Sequence, residues 1–170
     1  MSEQMLKEEQ QIQGQAETQA QALAQAAADA MWARDNASCS LGMQIQEVRP
    51  GYARLSMAIR ADMLNGHASC HGGFIFALAD SAFAFSCNSR NAVTVASGCS
   101  IDYLAPGKLG DMLTAEAIEQ SLAGRTGVYD VTVSNQSGRR IALFRGKSYR
   151  VAGEVIAGLT ADQKDQKGPA

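Results

Sequence analysis

The sequence predicts an α+β fold in which an antiparallel sheet covers one side of one long buried helix. Three observations carry that prediction. Residues 73–89, in "GFIFALADSAFAFSCNS", are apolar on every face and form a run too long for a typical strand. A helix that is apolar all round is a buried helix. Runs of period-two alternation stand on both sides of it, two before and four after. The connectors are rich in Gly, Pro, Asn and Asp, which build tight reversals between antiparallel neighbours.

Taken in order, the chain opens on residues 1–30, an arm holding eight glutamines and an alanine-rich second half, "AETQAQALAQAAADA". Alanine and glutamine favour helix, and a helix is expected over residues 18–34, with a frayed start before it. "MQIQEV" alternates, with Met43, Ile45 and Glu47 on one face. "RPGY" supplies a turn at Pro50 and Gly51. In "YARLSMAI", Ala53, Leu55 and Met57 lie opposite Tyr52, Arg54 and Ser56, so a hairpin is expected. After the buried helix come "AVTVASGCSIDYLA", "DMLTAEAIEQSL", "GVYDVTVSN" and "RRIALFRGKSYRVAG", read as a four-strand meander. The pattern then fades. The expected division is an arm over 1–30, a folded domain over 31–153 and a mobile tail over 154–170.

Composition narrows the classes. The 170 residues suit a single domain, and a net charge of -2 gives no broad electrostatic case for nucleic acid. No apolar run reaches the roughly 18 residues of a membrane helix, and "MSEQMLKEEQ" lacks the apolar core of a secretory signal, so the default location is cytoplasmic. Cys39, Cys70, Cys87 and Cys99 form no C-x-x-C pair and are read as reduced thiols.

Two features of the central helix point beyond packing. One sheet covers one side of it, and the chain offers little for the other side. A second copy of the same chain is the economical cover, hence a symmetric dimer. The second feature is Asp80, a carboxylate set among Phe74, Phe76, Leu78, Phe83 and Phe85. An unpaired charge buried there would cost several kcal/mol.

The segment "NGHASCHGGFIFALADSAFAFSCN", with "IDYLAPGKLGD", "GRTGVYDVTVSNQ" and "ALFRGKSYR", resembles the hot-dog-fold acyl-CoA thioesterases, and more narrowly their phenylacetic-acid-degradation branch. The resemblance covers roughly residues 31–153. It implies a curved sheet around the central helix, dimers pairing into tetramers, and hydrolysis of an acyl-CoA thioester, with phenylacetyl-CoA or its ring-hydroxylated relatives as the substrates. It implies that Asp80 is the catalytic carboxylate, that the Gly72 amide helps form the oxyanion hole, and that Asn65 contacts the thioester or the water. It implies a hydroxyl residue on the following strand, near Ala96 and Ser97. No separate cofactor and no metal are implied, since coenzyme A is part of the substrate.

The residues support that chemistry on their own terms. Gly72 and Gly73 at a helix start present N–H groups backed by the helix dipole, although a tight entry turn explains them equally. Asp80 suits a base or a nucleophile, and the bland alternative is a buried carboxylate bonded to a cap or an arginine. Asn65 offers both donor and acceptor, or is simply a turn residue; His71 reads as a residue that holds the loop. Gly72 and Asp80 are eight residues apart, roughly 12 Å along one helix, too far to touch one carbonyl. A single site built from both must therefore draw on two chains. Arg125, Thr126 and Gly127 in "GRTG", with Arg145 and Lys147, are candidates for coenzyme A, and Lys108 and Arg139 are further cations; solvated turns and strand edges would use the same residues.

Four rival readings remain. Cys70 beside His71 suggests a thiol nucleophile. His67, Cys70 and His71 with Asp62 suggest a metal cluster. A hydratase or dehydratase would pair a His with an acid. A non-enzymatic acyl-CoA sensor would bind without turnover.

Overall fold

The computed structural model describes residues 3–159. Helix α1 (Glu3–Trp32) and the short helix α2 (Asn36–Ser40) lead into β1 (Gln44–Arg49) and β2 (Tyr52–Ala58). A 3-10 turn (Ala61–Met63) and a loop precede α3 (Gly72–Cys87). Strands β3 (Ala92–Tyr103), β4 (Met112–Ala123), β5 (Thr126–Ser134) and β6 (Arg140–Glu154) follow. All six strands join one antiparallel sheet in the order β1-β2-β4-β5-β6-β3.

The expected hairpin forms, with Gly51 at φ 73°, a left-handed value that costs glycine no Cβ clash. The inward face of β2 is Ala53, Leu55 and Met57, as the alternation requires. In β1 the expected face fails part-way. A bulge between Ile45 and Glu47 changes the phase, so Val48 is buried in place of Glu47. The meander also needs correction. Only β4, β5 and β6 follow it; β3 lies beyond β6 at the sheet edge, and β4 pairs with β2. Alternation fixes which face a residue takes, not which strand lies beside it.

Helix α1 begins at Glu3, well before residue 18. Its first half is rich in helix-forming Gln, Glu and Lys, and Gln13 donates to Glu17 one turn on (3.2 Å). Its second half joins the core through Ala24 and Ala28, and Gln21 donates to the Val48 carbonyl (2.7 Å). Beyond β6, Asn91 pins residues 155–159: it accepts from the Ile156 N–H (2.8 Å) and donates to the Ile156 carbonyl (3.0 Å). The rest of the expected tail, 160–170, lies outside the described residues.

Helix α3 lies on the concave sheet through Ile75, Leu78, Ala79, Ala82, Phe83 and Phe85. The Phe83 ring packs edge-on to Tyr129 (5.4 Å between centroids) and tilted to Phe144 (6.0 Å). Its atoms come within 2.9 Å of where a Cβ on Gly146 would stand, so this ring rests on bare β6 backbone. The opposite stripe, Gly73, Ala77, Asp80 and Ala84, is only half-covered or exposed. Asp80 thus sits on the side of α3 that its own sheet leaves uncovered. The next strand, β3, is a sheet edge whose residues 95–100 are all exposed.

Candidate active site

His71 caps the N-terminus of α3 in an extended conformation, and its Nδ1 accepts from the Gly73 N–H (3.0 Å). The Gly72 carbonyl accepts from the Tyr103 hydroxyl (2.9 Å). No hydrogen bond to the Gly72 N–H is found among the described residues. Of the two glycine amides expected to be donors, Gly73 is therefore occupied by His71 and Gly72 is available.

The loop before the helix presents Asn65. Its Oδ1 accepts from the His67 N–H (2.9 Å), the Ser69 N–H (3.3 Å) and the Ser69 hydroxyl (3.2 Å). The side-chain oxygen is thus spent on the turn, which leaves the Nδ2 donor for the cleft. That cleft, of about 470 Å³, is lined by Asn65 and Gly72 together with Ser69, Ile75, Tyr103 and Leu104. Asp80 does not line it. Within one chain, two donors are gathered and the carboxylate is held elsewhere on α3.

Burial raises the pKa of Asp80, and the Cys99 thiol, 3.9 Å from Oδ1, pulls it partly back. The same carboxylate, added to burial, raises the Cys99 thiol. Ser97 does not reach Asp80 in this chain. It is the extra residue in a β3 bulge between Ala96 and Gly98, and its hydroxyl donates to the Lys147 carbonyl (3.1 Å). The bulge changes the strand's phase and brings Cys99 forward. Cys99 and Tyr103 both went unassigned in the sequence. Tyr103 stands inside "IDYLAPGKLGD", and Cys99 two residues past Ser97, so their position was the available signal.

The coenzyme A candidates scatter. Arg145 is paired with Asp130 through two contacts (2.6 and 2.7 Å), which hold that carboxyl below its ordinary pKa. Lys147 is exposed on the same strand face as Arg145. Arg125 lies over the Tyr149 ring, 5.5 Å from its centroid. The Thr126 hydroxyl donates to the Ala123 carbonyl (3.1 Å). Gly127 is a packing glycine, since a Cβ there would lie 2.7 Å from both Ser148 Oγ and a Tyr129 ring carbon. Arg125 shares a second cleft, of about 390 Å³, with Arg90 and Arg150, which the sequence did not single out.

The rival sites lose ground. Cys70 is buried and burial raises its thiol pKa, the reverse of an activated nucleophile. His67, Cys70, His71 and Asp62 form no metal-holding group among the described residues. Asp62 is paired instead with Arg60 (3.1 Å). His71 caps α3 nine residues before Asp80, roughly 13 Å along the helix, so the two form no acid pair within one chain.

Comparison with known proteins now decides the family. The chain is 48% identical to the acyl-coenzyme A thioesterase PaaI of Escherichia coli over 126 residues, covering 74% of this chain and 90% of that one. The chain belongs to the thioesterase superfamily. The thioesterase superfamily model matches residues 67–142, from the loop before α3 into β6. Among solved thioesterase-superfamily structures, E. coli PaaI, from the phenylacetic acid degradation operon, superposes with a TM-score of 0.78 at 47% identity, covering 79% of this chain and 97% of that one. A mutant of the phenylacetic acid degradation protein PaaI from Thermus thermophilus gives 0.65 at 40% identity, covering 67% and 97%. A hypothetical thioesterase protein from Streptococcus pneumoniae, solved with coenzyme A, gives 0.64 at 28% identity, covering 66% and 88%. The fold is the hot-dog fold of this superfamily.

Proposed function

We propose that this chain is an acyl-CoA thioesterase that cleaves phenylacetyl-CoA or a ring-hydroxylated relative to the free acid and coenzyme A in the cytoplasm. The geometric observation that carries the reading is the unpaired N–H of Gly72, the first residue of α3, which lines a cleft together with Asn65. A helix N-terminus with a free donor is suited to a developing oxyanion. The thioester carbonyl oxygen lies against the Gly72 N–H and the Asn65 Nδ2. Water, deprotonated by Asp80, adds to the carbonyl carbon; alternatively the Asp80 carboxylate adds first and water then opens the resulting anhydride. Either way the C–S bond breaks, and the thiolate leaves without needing an acid.

The Asp80 in each site comes from a second copy of the chain. The small residues Gly73, Ala77 and Ala84 flank Asp80 on the uncovered stripe of α3, leaving room for a partner helix to approach closely. The unpaired edge of β3 runs alongside, and a second β3 would satisfy its backbone groups. An antiparallel partner then sets its Gly72 opposite this Asp80. Two such dimers form the tetramer. Arg125 and Arg150, in one cleft, take the coenzyme A phosphates, while Arg90 beside them is already paired with Glu119 (2.6 Å), and Lys147 adds charge at the sheet surface. Arg145 contributes less, because Asp130 already neutralises it.

Thiol release from phenylacetyl-CoA, measured on wild type, Asp80→Asn and Asp80→Ala, tests the assignment. Both variants are expected to lose at least about a hundredfold in kcat, the loss typical of a missing base or nucleophile. A folded Asp80→Ala protein that turns over at the wild-type rate sinks it.

A further inference from the structure

The peptide joining Gly72 to Gly73 is held at both ends. Its carbonyl accepts from the Tyr103 hydroxyl (2.9 Å), and its N–H donates to His71 Nδ1 (3.0 Å). A peptide unit is planar, so fixing the oxygen at one edge and the hydrogen at the other fixes the whole plane. Two adjacent glycines are otherwise the least constrained pair a chain can have. The preceding peptide is also anchored, since the His71 carbonyl accepts from the Phe74 N–H (3.0 Å). What remains unbonded between these anchors is the Gly72 N–H.

Tyr103 is also interlocked with the glycine sterically. A Cβ on Gly72 would lie 2.9 Å from the Tyr103 Cζ and 3.0 Å from its hydroxyl oxygen. The phenol therefore occupies the space of the missing side chain. Tyr103 comes from β3, an element separate from the helix, and half of its surface stays open in the cleft that also contains Asn65. A purely structural tyrosine at this point would gain more by burying its ring. This one instead spends its hydroxyl on a backbone carbonyl at the helix start.

We infer that Tyr103 is a positioning residue for the hydrolysis: its hydroxyl clamps the Gly72–Gly73 peptide and so blocks rotation at Gly72 that would turn the Gly72 N–H, carried by the adjoining His71–Gly72 peptide, away from the thioester oxygen. This rests on the thioesterase reading. The clamp acts on a donor that matters most when charge develops on oxygen, so its loss falls on kcat more than on KM.

Two measurements on Tyr103→Phe test it, one of them independent of catalysis. The variant keeps the ring and removes one oxygen, so its melting temperature serves as the folding control. With phenylacetyl-CoA, kcat is expected to fall about tenfold while KM stays within about twofold, a partial loss of one oxyanion donor. Amide hydrogen exchange over residues 71–76 is expected to speed up, with the rest of α3 unchanged. Gly72→Ala keeps its own N–H but displaces the phenol, so it should lose a similar factor, and the double variant should lose little more than either alone. Wild-type kcat in Tyr103→Phe overturns the inference, as do unchanged exchange over residues 71–76 or fully additive losses. A wild type that hydrolyses no acyl-CoA refutes the thioesterase reading instead, and the exchange result still shows whether the clamp exists.

Discussion

At the scale of single residues, the proposed site depends on one backbone hydrogen and one carboxyl, and each predicts a separable experiment. Gly72 is the first residue of α3 and follows His71 at φ -63°, ψ 132°, an extended conformation that tolerates a following proline. Gly72→Pro therefore deletes the N–H at a position that accepts proline, while its Cβ displaces the Tyr103 phenol just as that of Gly72→Ala does. It should cost about a hundredfold or more in kcat, against the milder loss in Gly72→Ala, which retains the hydrogen. Equal losses in the two variants would mean that the shape of this position matters and its donor does not. In the proposed role Asp80 works only when ionised, and burial raises its pKa while the Cys99 thiol lowers it. The acid limb of the pH–rate profile should accordingly lie above the ordinary carboxylate range. Cys99→Ala removes the opposing donor, so the limb should move to higher pH; Cys99→Ser offers a stronger donor and should move it lower. A kcat profile indifferent to both substitutions would detach Cys99 from Asp80. Asp80 was legible in the sequence because a carboxylate in an apolar helix is conspicuous. Cys99 was not, because its role depends on a bulge at Ser97 that no alternation pattern encodes.

At the scale of elements, α3 and the sheet are joined where Phe83 lies against the bare backbone of Gly146. Gly146→Ala places a methyl within 2.9 Å of three ring atoms. Phe83 is itself held between Tyr129 and Phe144, so it has little room to yield. The substitution should cost about 1–3 kcal/mol, read from the urea midpoint, as overpacking of a filled core does. An unchanged midpoint would mean that the ring swings aside freely. The same contact shows what the sequence could and could not reveal. All six strands and the central helix were legible, because periods of 2 and an all-round apolar run are local signals. Which strands are neighbours was not, and β3 lies beside β6 rather than β4. The early start of α1 was missed for a related reason: a polar, glutamine-rich helix shows no apolar stripe, so propensity alone had to reveal it. Arg145 was chosen for its charge, and only the fold shows that Asp130 on the neighbouring strand already claims it.

At the scale of the whole molecule, the proposed mechanism makes one chain an incomplete enzyme. Its cleft gathers Gly72 and Asn65 but not Asp80, which lies on the uncovered stripe of α3, about 12 Å along the helix. The proposed two-fold axis between antiparallel α3 helices would correct both shortfalls at once, covering the stripe and supplying the carboxylate. Such symmetry makes a quantitative prediction. Gly72→Pro and Asp80→Ala chains are each expected to be inactive as homodimers. In a hybrid, one site combines both defects, and the other combines the intact Gly72 of one chain with the intact Asp80 of its partner. Equal mixing with random pairing makes half the dimers hybrids, each with one working site of two, so about one quarter of wild-type activity should return. The mixture must be unfolded and refolded together, or exchanged long enough for subunits to reassort, with size-exclusion chromatography confirming the assembly. A site complete within one chain predicts no recovery at any mixing ratio. Recovery that rises and falls with the hybrid fraction, peaking at equal mixing, would place the two halves of the chemistry on opposite sides of the axis.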